Sequence, residues 1–182
     1  KTDHVDLLLI HWPMFHDAPL AETLDAMAEL RYAGKARHLG VSNFTAALLA
    51  EATGDLGHDI LCNQVEYHPY LAQQTVLAEA ARRGVVTTAY CPIVRGRVGD
   101  DAVLAGIAVA HGKSAAQVTL RWLLQQDGVA AIPKAASERN ARANFDIFDF
   151  ELSAEEMTRI HGLARGLRLV DPDGWHDTWD AV

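Results

Sequence analysis

The feature that most constrains the fold is a regular alternation of short apolar runs with segments of helical spacing. Five runs are typical of buried strands, at residues 5–10, 36–41, 60–66, 85–90 and 129–132. After the first run, Leu20, Leu24, Met27 and Leu30 recur with the period of an amphipathic helix. This alternation predicts an α/β fold with parallel strands joined by right-handed helical crossovers.

Helix start and stop signals lie between the apolar runs. Gly34 and Gly84 are placed to end the helices that precede the second and fourth strands. Residues of the kind that cap helix N-termini come before four further helical segments: Thr45, Ser114, Ser137 and Ser153. We therefore expect five strand-then-helix units, a long loop at 94–101, and an extended tail from residue 168.

Two parallel architectures fit this order, an open doubly wound sheet and a (β/α)8 TIM barrel. The glycine-rich G-x-G-x-x-G turn of a dinucleotide-binding open sheet does not occur after the first strand. In a barrel, polar side chains gather at the carboxyl ends of the strands, where the active site lies. Six residues fit that position: His11, Ser42, Asn43, Gln64, Tyr90 and Lys134. The pattern favours the barrel.

The number of strands is too small for a closed barrel. Eight strands in about 250 residues are typical, whereas the 182 residues here carry five predicted strands. We expect residues 1–182 to be a single domain that forms a partial (β/α)8 barrel, strands four to eight with their helices. Three N-terminal units, roughly 90 residues at about 30 per unit, would then precede Lys1.

Composition excludes some classes of function. The formal net charge of −8 argues against a nucleic-acid surface, which needs a basic face. There is no run of about 18 apolar residues, so no membrane span is expected. Cys62 and Cys91 are too few for a disulfide framework, which favours a reducing, cytoplasmic location. His16 and Asp17 have no third ligand at metal-binding spacing, so we read them as loop residues and expect no metal.

Five segments in order resemble the aldo-keto reductase family: residues 5–13, 40–44, 63–70, 89–92 and 131–134. They are similar to the motifs of strands four to seven and to the start of the phosphate-binding segment. The tail at 168–174 and 179–180 looks like that of bacterial 2,5-diketo-D-gluconic acid reductases of the B type. The resemblance implies NADPH-dependent reduction of aldehydes or ketones, such as 2,5-diketo-gluconate or methylglyoxal, to alcohols.

The resemblance also implies roles at the carbonyl. His11 would orient the substrate and donate a hydrogen bond to the oxygen on which negative charge develops. A histidine after an apolar strand is more often structural, and the His-Trp-Pro context at 11–13 is what favours the functional role. Trp12 would line the substrate pocket, although a buried tryptophan is usually only a core residue.

Four residues are implied at the nicotinamide. Ser42, Asn43 and Gln64 would bind its carboxamide, since a hydroxyl and an amide both pair with an amide group. The plainer alternatives are a helix cap before Thr45 and an ordinary strand-end polar group. Tyr90 would stack on the nicotinamide ring and leave one face open for hydride transfer, with a core tyrosine as its alternative.

The segment after the fifth strand is implied to bind the cofactor phosphate. Lys134 would pair with the 2′-phosphate, and Asn144 fits the family asparagine that contacts adenine. Ala135 and Asn140 depart from the common pattern, which has serine and arginine at those positions. Three residues are supporting candidates for the phosphate: Ser137, Arg139 and Arg142.

The family mechanism needs a tyrosine as general acid, tuned by a lysine and an aspartate. In the family these residues lie on the first three units, and none of those motifs occurs in residues 1–182. Two interpretations stay open. In one, the chain is the C-terminal part of a reductase that is a monomer when complete; in the other, it is a truncated or regulatory cofactor-binding module without catalysis.

Overall fold

The computed structural model describes residues 2–14, 18–172 and 179–180, so His16 and Asp17 lie outside the described residues. The first part of the chain has the order β1 Val5–Ile10, α1 Leu20–Tyr32, β2 Ala36–Ser42, α2 Ala46–Ala50, β3 Ile60–Glu66 and α3 Gln74–Arg83. The second part has β4 Val86–Tyr90, α4 Ala102–His111, α5 Ala115–Leu124, β5 Val129–Ala131, α6 Glu138–Phe145 and α7 Ala154–His161. A π-helical turn at Glu51–Asp55 extends α2, and 3₁₀ turns occupy Val94–Asp100.

The five strands form one sheet in the order β1-β2-β3-β4-β5. β1 pairs in parallel with β2, and β2 with β3. A doubly wound sheet reverses its strand order at a switch point, and this sheet has no such reversal among the described strands. The unbroken order is that of consecutive barrel units, so the structure supports an α/β fold consistent with part of a (β/α)8 barrel.

One compact unit comprises, of the described residues, 2–14, 18–65, 74–87 and 179–180. Its core forms where α1 and α2 cover the strands, and the residues at its centre are fully or almost fully buried: Leu24, Leu39, Val41, Phe44 and Leu49. Burying each such side chain contributes roughly 1.5–3 kcal/mol. This packing fixes the strands whose carboxyl ends carry His11, Ser42 and Gln64.

The prediction that β1 is buried on both faces is wrong for its first half. Val5 and Leu7 are exposed, at 44% and 36% of their surface. Among the described strands, β1 pairs with β2 alone, so it is an edge strand. The carboxyl end of the strand is different, because Ile10 is buried in the core.

The second compact unit comprises, of the described residues, 66–73 and 88–172. Its buried residues include Leu104 and Ile107 of α4, Trp122 of α5 and Ile160 of α7. The Tyr67 hydroxyl donates to Gln126 Oε1 at 2.7 Å, which satisfies a polar group that packing has buried. That residues 1–182 act as a single domain stays a prediction.

Helix caps follow the predicted pattern. The side chain of each predicted cap accepts a backbone N–H of its own helix: Thr45, Ser114, Ser137 and Ser153. α3 begins at Gln74 and not near Leu71, because Leu71 pairs with His68 in an isolated β-bridge. No helix in the described part of the chain is long and apolar enough to cross a membrane.

Candidate functional site

A polar cluster in the first unit joins the carboxyl ends of β1, β2 and β3. Asn43 Nδ2 donates to the His11 carbonyl at 3.0 Å and to Ser42 Oγ at 3.2 Å. Ser42 Oγ donates to the Gln64 carbonyl at 2.7 Å, and the Asn43 N–H donates to the same oxygen at 2.9 Å. The structure thus brings together four of the predicted site residues, with Ser42 and Asn43 almost fully buried.

Asn43 has a left-handed backbone, with φ of 61°. Asparagine tolerates this region better than most residues, because its short side chain forms local hydrogen bonds there. The next residue is held by Asn63, whose Oδ1 accepts from Phe44 N at 3.3 Å and whose Nδ2 donates to Phe44 O at 2.9 Å. The loop after β2 therefore has its shape fixed by side chains from two strands.

His11 and Trp12 lie just beyond β1. The His11 side chain is exposed, while Trp12 is half-buried. Their ring centroids are 6.3 Å apart, and Trp12 packs edge-on against Trp179 at 6.1 Å. The neighbouring Asp180 Oδ2 accepts the N–H of Ala46, the first residue of α2, at 2.8 Å. The end of the tail thus packs beside the predicted substrate residues of this unit.

Tyr90 ends β4 in the second unit and is half-buried. Burial raises the pKa of its phenol well above the ordinary value, and the nearby charge of Glu66 raises it further, while Arg168 opposes this rise. The ring is therefore neutral at physiological pH. The chain after it is unusual, since Cys91, Val94 and Arg95 all have positive φ, between 50° and 53°. Such conformations often collect at functional sites.

Glu66 and His68 form a buried pair that the sequence reasoning did not identify as a site. Both side chains are fully buried, and His68 Nε2 lies 2.9 Å from Glu66 Oε1. Among the described residues, His68 Nδ1 is a buried nitrogen without a hydrogen-bond partner. The signal in the sequence was a charged residue, Glu66, within a predicted buried strand.

The segment after β5 carries the predicted phosphate residues. Ser137 Oγ accepts the Asn140 N–H at 3.2 Å and caps α6. Arg142 donates to Glu138 Oε1 from Nε at 2.9 Å and from Nη2 at 2.7 Å, so it already has an acidic partner. Lys134 and Arg139 are exposed, and no ion pair of either is seen within the described ranges.

A mainly apolar cavity of about 310 Å³ lies beside this segment. Asn144 is a polar residue in its lining, and Phe145 and Phe148 stack edge-on with centroids 5.5 Å apart. A cavity with aromatic walls and an amide suits a flat heterocycle. The residues that line this cavity therefore fit the adenosine end of a dinucleotide. The exposed cations of the same segment, Lys134 and Arg139, suit a phosphate.

No group of three or more histidine, cysteine or acidic side chains that could hold a metal ion is found in the described part of the chain. The side chains of the cluster formed by His11, Ser42, Asn43 and Gln64 carry imidazole, hydroxyl and amide groups. These are the groups expected to bind an uncharged amide and a carbonyl oxygen.

Comparisons with known proteins agree with this arrangement. The model of the aldo/keto reductase family matches residues 1–101 and 98–165. Methylglyoxal reductase DkgB of Escherichia coli O157:H7 is 36% identical over 182 residues, with 99% of this chain and 68% of the relative covered. Several other curated relatives are longer, and the chain spans 61% to 64% of their length.

Solved structures give the same result. A protein assigned as a 2,5-diketo-D-gluconic acid reductase B has a TM-score of 0.94 and 49% identity, over 99% of this chain and 64% of that one. A variant of Gox0644 in complex with NADPH has a TM-score of 0.87 and 34% identity, over 94% of this chain and 64% of that one. The chain belongs to the aldo/keto reductase family.

Proposed function

We propose that the chain carries the cofactor-binding residues and part of the carbonyl site of an NADPH-dependent reductase of aldehydes and ketones. The observation that supports this most strongly is the interlocked cluster of His11, Ser42, Asn43 and Gln64. The NADPH complex of a structural relative supports the cofactor. The names of the relatives favour small keto or diketo compounds, such as methylglyoxal or 2,5-diketo-gluconate, as substrates.

The hydrogen bonds of the cluster determine how it would meet the nicotinamide carboxamide. Ser42 Oγ has given its only hydrogen to the Gln64 carbonyl, so it meets a ligand as an acceptor. Asn43 Nδ2 also donates within the protein, and its hydrogen bonds to the His11 carbonyl and to Ser42 Oγ fix the orientation of the side-chain amide. The half-buried Gln64 side chain supplies both a donor and an acceptor. Tyr90, held neutral, offers its ring face for stacking.

When bound, NADPH supplies the hydride. At the substrate carbonyl, His11 would donate a hydrogen bond to the oxygen as negative charge develops there. Trp12 would form an apolar wall that orients the substrate and excludes water. The exposed position of His11 beside Trp12 leaves its imidazole accessible to a ligand.

At the other end of the cofactor, Lys134 would pair with the 2′-phosphate and Asn144 would contact adenine. Arg139 is the second exposed cation of this segment, whereas Arg142 is engaged by Glu138 and Ser137 by the α6 backbone. Ser137 and Arg142 are therefore supporting candidates whose first task is to stabilise α6. We also propose that the protein is a monomer when complete and works in a reducing, cytoplasmic compartment, which its low cysteine content suits.

The test is made in the complete barrel that the family mechanism requires, and it measures the loss of NADPH absorbance with methylglyoxal for the unaltered protein, His11→Ala and the matched control His38→Ala. His38 is another exposed histidine, within β2 and away from its carboxyl end. We expect kcat to fall on the order of 10²-fold for His11→Ala, since a donor to the developing charge is lost, and to be unchanged for His38→Ala. NADPH binding without turnover in all three proteins would instead favour a cofactor-binding module without catalysis.

A further inference from the structure

The first turn of α2 is bound by a residue that is distant in the sequence. Asp180 Oδ2 accepts the N–H of Ala46 at 2.8 Å, across 134 residues of chain. The first N–H groups of a helix have no acceptor within the helix, so other groups must supply one. The Thr45 side chain supplies one acceptor, for Leu48 N at 3.3 Å. Asp180 supplies another, and an ionised carboxylate is a stronger acceptor than a hydroxyl.

The amide that Asp180 binds belongs to the stretch of chain with the proposed nicotinamide contacts. Asn43 and Ser42 precede that amide by three and four positions. We name residues 42–46 the cofactor segment. Its first half is attached to β3, because Ser42 Oγ and the Asn43 N–H both donate to the Gln64 carbonyl. The segment is therefore held at both ends, by the neighbouring strand and by Asp180.

The backbone of Asn43 makes the second attachment important. Its φ of 61° lies in the left-handed region, which residues other than glycine seldom adopt. The side chain helps to hold this conformation through its bonds to the His11 carbonyl and Ser42 Oγ. An unfavourable conformation persists only where the surrounding structure holds it in place. Release of Ala46 would let the chain after Asn43 relax and would turn the side-chain amide away from its present orientation.

Trp179, the residue before Asp180, makes a second contact in the same unit. Its ring packs edge-on against Trp12 with the centroids 6.1 Å apart, a favourable arrangement of two aromatic rings. Trp12 directly follows His11, whose carbonyl binds the Asn43 side chain. Residues 179 and 180 therefore contact both of the stretches that hold Asn43, one after β1 and one at the start of α2.

We propose that Asp180 is a positioning residue for the nicotinamide end of the cofactor, because its bond to Ala46 holds Ser42 and Asn43 in the orientation that receives the carboxamide. This inference rests on the proposed cofactor site. Asp180 acts through the cofactor segment and does not itself touch the cofactor. All of these contacts lie within one compact unit. Loss of Asp180 should therefore weaken binding of the nicotinamide and leave binding of the adenosine and 2′-phosphate unchanged.

The test compares the binding of NADPH with that of 2′-phospho-ADP-ribose, which lacks the nicotinamide. Titration calorimetry measures both affinities, and neither measurement depends on turnover. In the unaltered chain NADPH should bind more tightly than 2′-phospho-ADP-ribose, and the ratio of the two dissociation constants gives the contribution of the nicotinamide. For Asp180→Ala we expect the NADPH dissociation constant to rise about fivefold, the loss expected from about one hydrogen bond. That of 2′-phospho-ADP-ribose should stay within about twofold.

Two further variants separate positioning from a general loss of charge or stability. Asp180→Asn keeps an oxygen that can accept the Ala46 N–H, so it should bind NADPH within about twofold of the unaltered chain. Asp59→Ala is the matched control. Asp59 is an exposed aspartate in the same unit, directly before β3 and so at the opposite end of the strand from the site, and it pairs with Arg31 at 2.9 Å. Its loss should change neither affinity.

Hydrogen exchange tests the contact itself. The Ala46 amide of the unaltered chain should exchange at least about tenfold more slowly than an unbonded amide, and Asp180→Ala should remove that protection. Rapid exchange of this amide in the unaltered chain would overturn the inference, even if the variant fails to fold.

The two titrations distinguish failure of the inference from failure of the proposed site. An unchanged NADPH affinity in Asp180→Ala, or an equal loss for both ligands, would overturn the inference alone. If the unaltered chain binds NADPH no more tightly than 2′-phospho-ADP-ribose, the proposed nicotinamide site is wrong, and the inference is wrong with it.

Discussion

At the scale of single residues, Asn43 connects backbone conformation to the proposed cofactor site. Replacement by glycine accepts the φ of 61° but removes the donors to His11 and Ser42, whereas alanine removes the donors and adds strain. We expect both variants to bind NADPH about tenfold more weakly, consistent with one or two lost hydrogen bonds. Fluorescence titration measures this affinity.

Comparison of Asn43→Gly with Asn43→Ala separates the effect of backbone strain from that of the lost hydrogen bonds. Asn43→Ala should have a free energy of unfolding about 1 kcal/mol lower than Asn43→Gly, because alanine is disfavoured in the left-handed region. Urea unfolding measures the difference. Equal stability of the two variants would show that the backbone at Asn43 relaxes, and unchanged NADPH affinity in both would remove Asn43 from the cofactor site.

Gly40 in β2 lies where the Leu9 side chain and both the side chain and backbone of Cys62 approach closely. The register of β2 on β3 shifts between Leu39 and Val41. A Cβ on Gly40 would overlap the end of the Leu9 side chain and lie 3.1 Å from Cys62 Sγ. We expect Gly40→Ala to lower the free energy of unfolding by about 1–2 kcal/mol, the usual cost of overpacking.

Gly106 is the control for this change. It lies inside α4, where an added Cβ meets no atom within 4 Å. There alanine should raise the free energy of unfolding by about 0.5–1 kcal/mol, through helix propensity. Urea denaturation of the two variants checks both signs. Stabilisation by Gly40→Ala would contradict the close packing of β1, β2 and β3 described here.

The sequence could identify those site residues whose position directly after a predicted strand marks them. His11, Ser42 and Asn43 directly follow strands, and the structure joins them as expected. Asp180 and Glu66 were not foreseen, because the backbone N–H groups that they bind are 134 and at least 103 residues away. Local periodicity carries no information about hydrogen bonds over such separations.

At the scale of elements, α3 contains a charge cluster with a definite pH dependence. The bonds donated by Arg82 and then Arg83 lower the pKa of Glu79 to about 2, from an ordinary value of 4.5. A carboxylate with a lowered pKa in the folded state stabilises the fold above its unfolded pKa. That contribution should be fully present above about pH 4.5 and lost as the pH falls towards about 2.

Glu79→Gln tests this dependence by urea unfolding between pH 7 and pH 2. The unaltered chain should be the more stable protein at pH 7, and the difference should disappear at the acidic end. Its size should be modest, since the cluster is near the surface and screened. A difference that stays constant with pH would show that the glutamate side chain contributes packing and not charge.

Helix α6 and the loop before it should distinguish NADPH from NADH. Lys134→Ala removes an exposed cation proposed to pair with the 2′-phosphate, so we expect NADPH affinity to fall about 10- to 100-fold with NADH affinity unchanged. Lys35→Ala, which removes another exposed lysine, is the control. Isothermal titration with both nucleotides measures the ratio. An equal loss for NADH would place Lys134 elsewhere than the 2′-phosphate.

The sequence predicted the elements better than their ends. Strands β1 and β3 and helix α1 have the predicted bounds, because strong apolar periodicity defines them. α2 stops early and continues as a π-helical turn. The predicted loop at 94–101 contains 3₁₀ turns with Arg95 and Gly96 in left-handed conformations. These details depend on tertiary contacts that no local pattern encodes.

At the scale of the whole molecule, strand order is the property that separates the two architectures considered. The sequence predicted the helices between consecutive strands, but both architectures contain such helices, so the helices do not distinguish the two. The order β1-β2-β3-β4-β5 and the family match settle the class. The exposed surface of Val5 and Leu7 was not predicted, because the apolar run alone does not show which strands lie at an edge.

The most direct test of the account is hydrogen exchange of the chain with and without NADPH. Three groups of residues should gain protection on binding: 42–44 after β2, 90–91 after β4, and 134–144 after β5. Residues within α3, which no proposed contact reaches, should not change. Protection confined to other segments, or no protection at saturating NADPH, would contradict the proposal that these residues bind the nicotinamide cofactor.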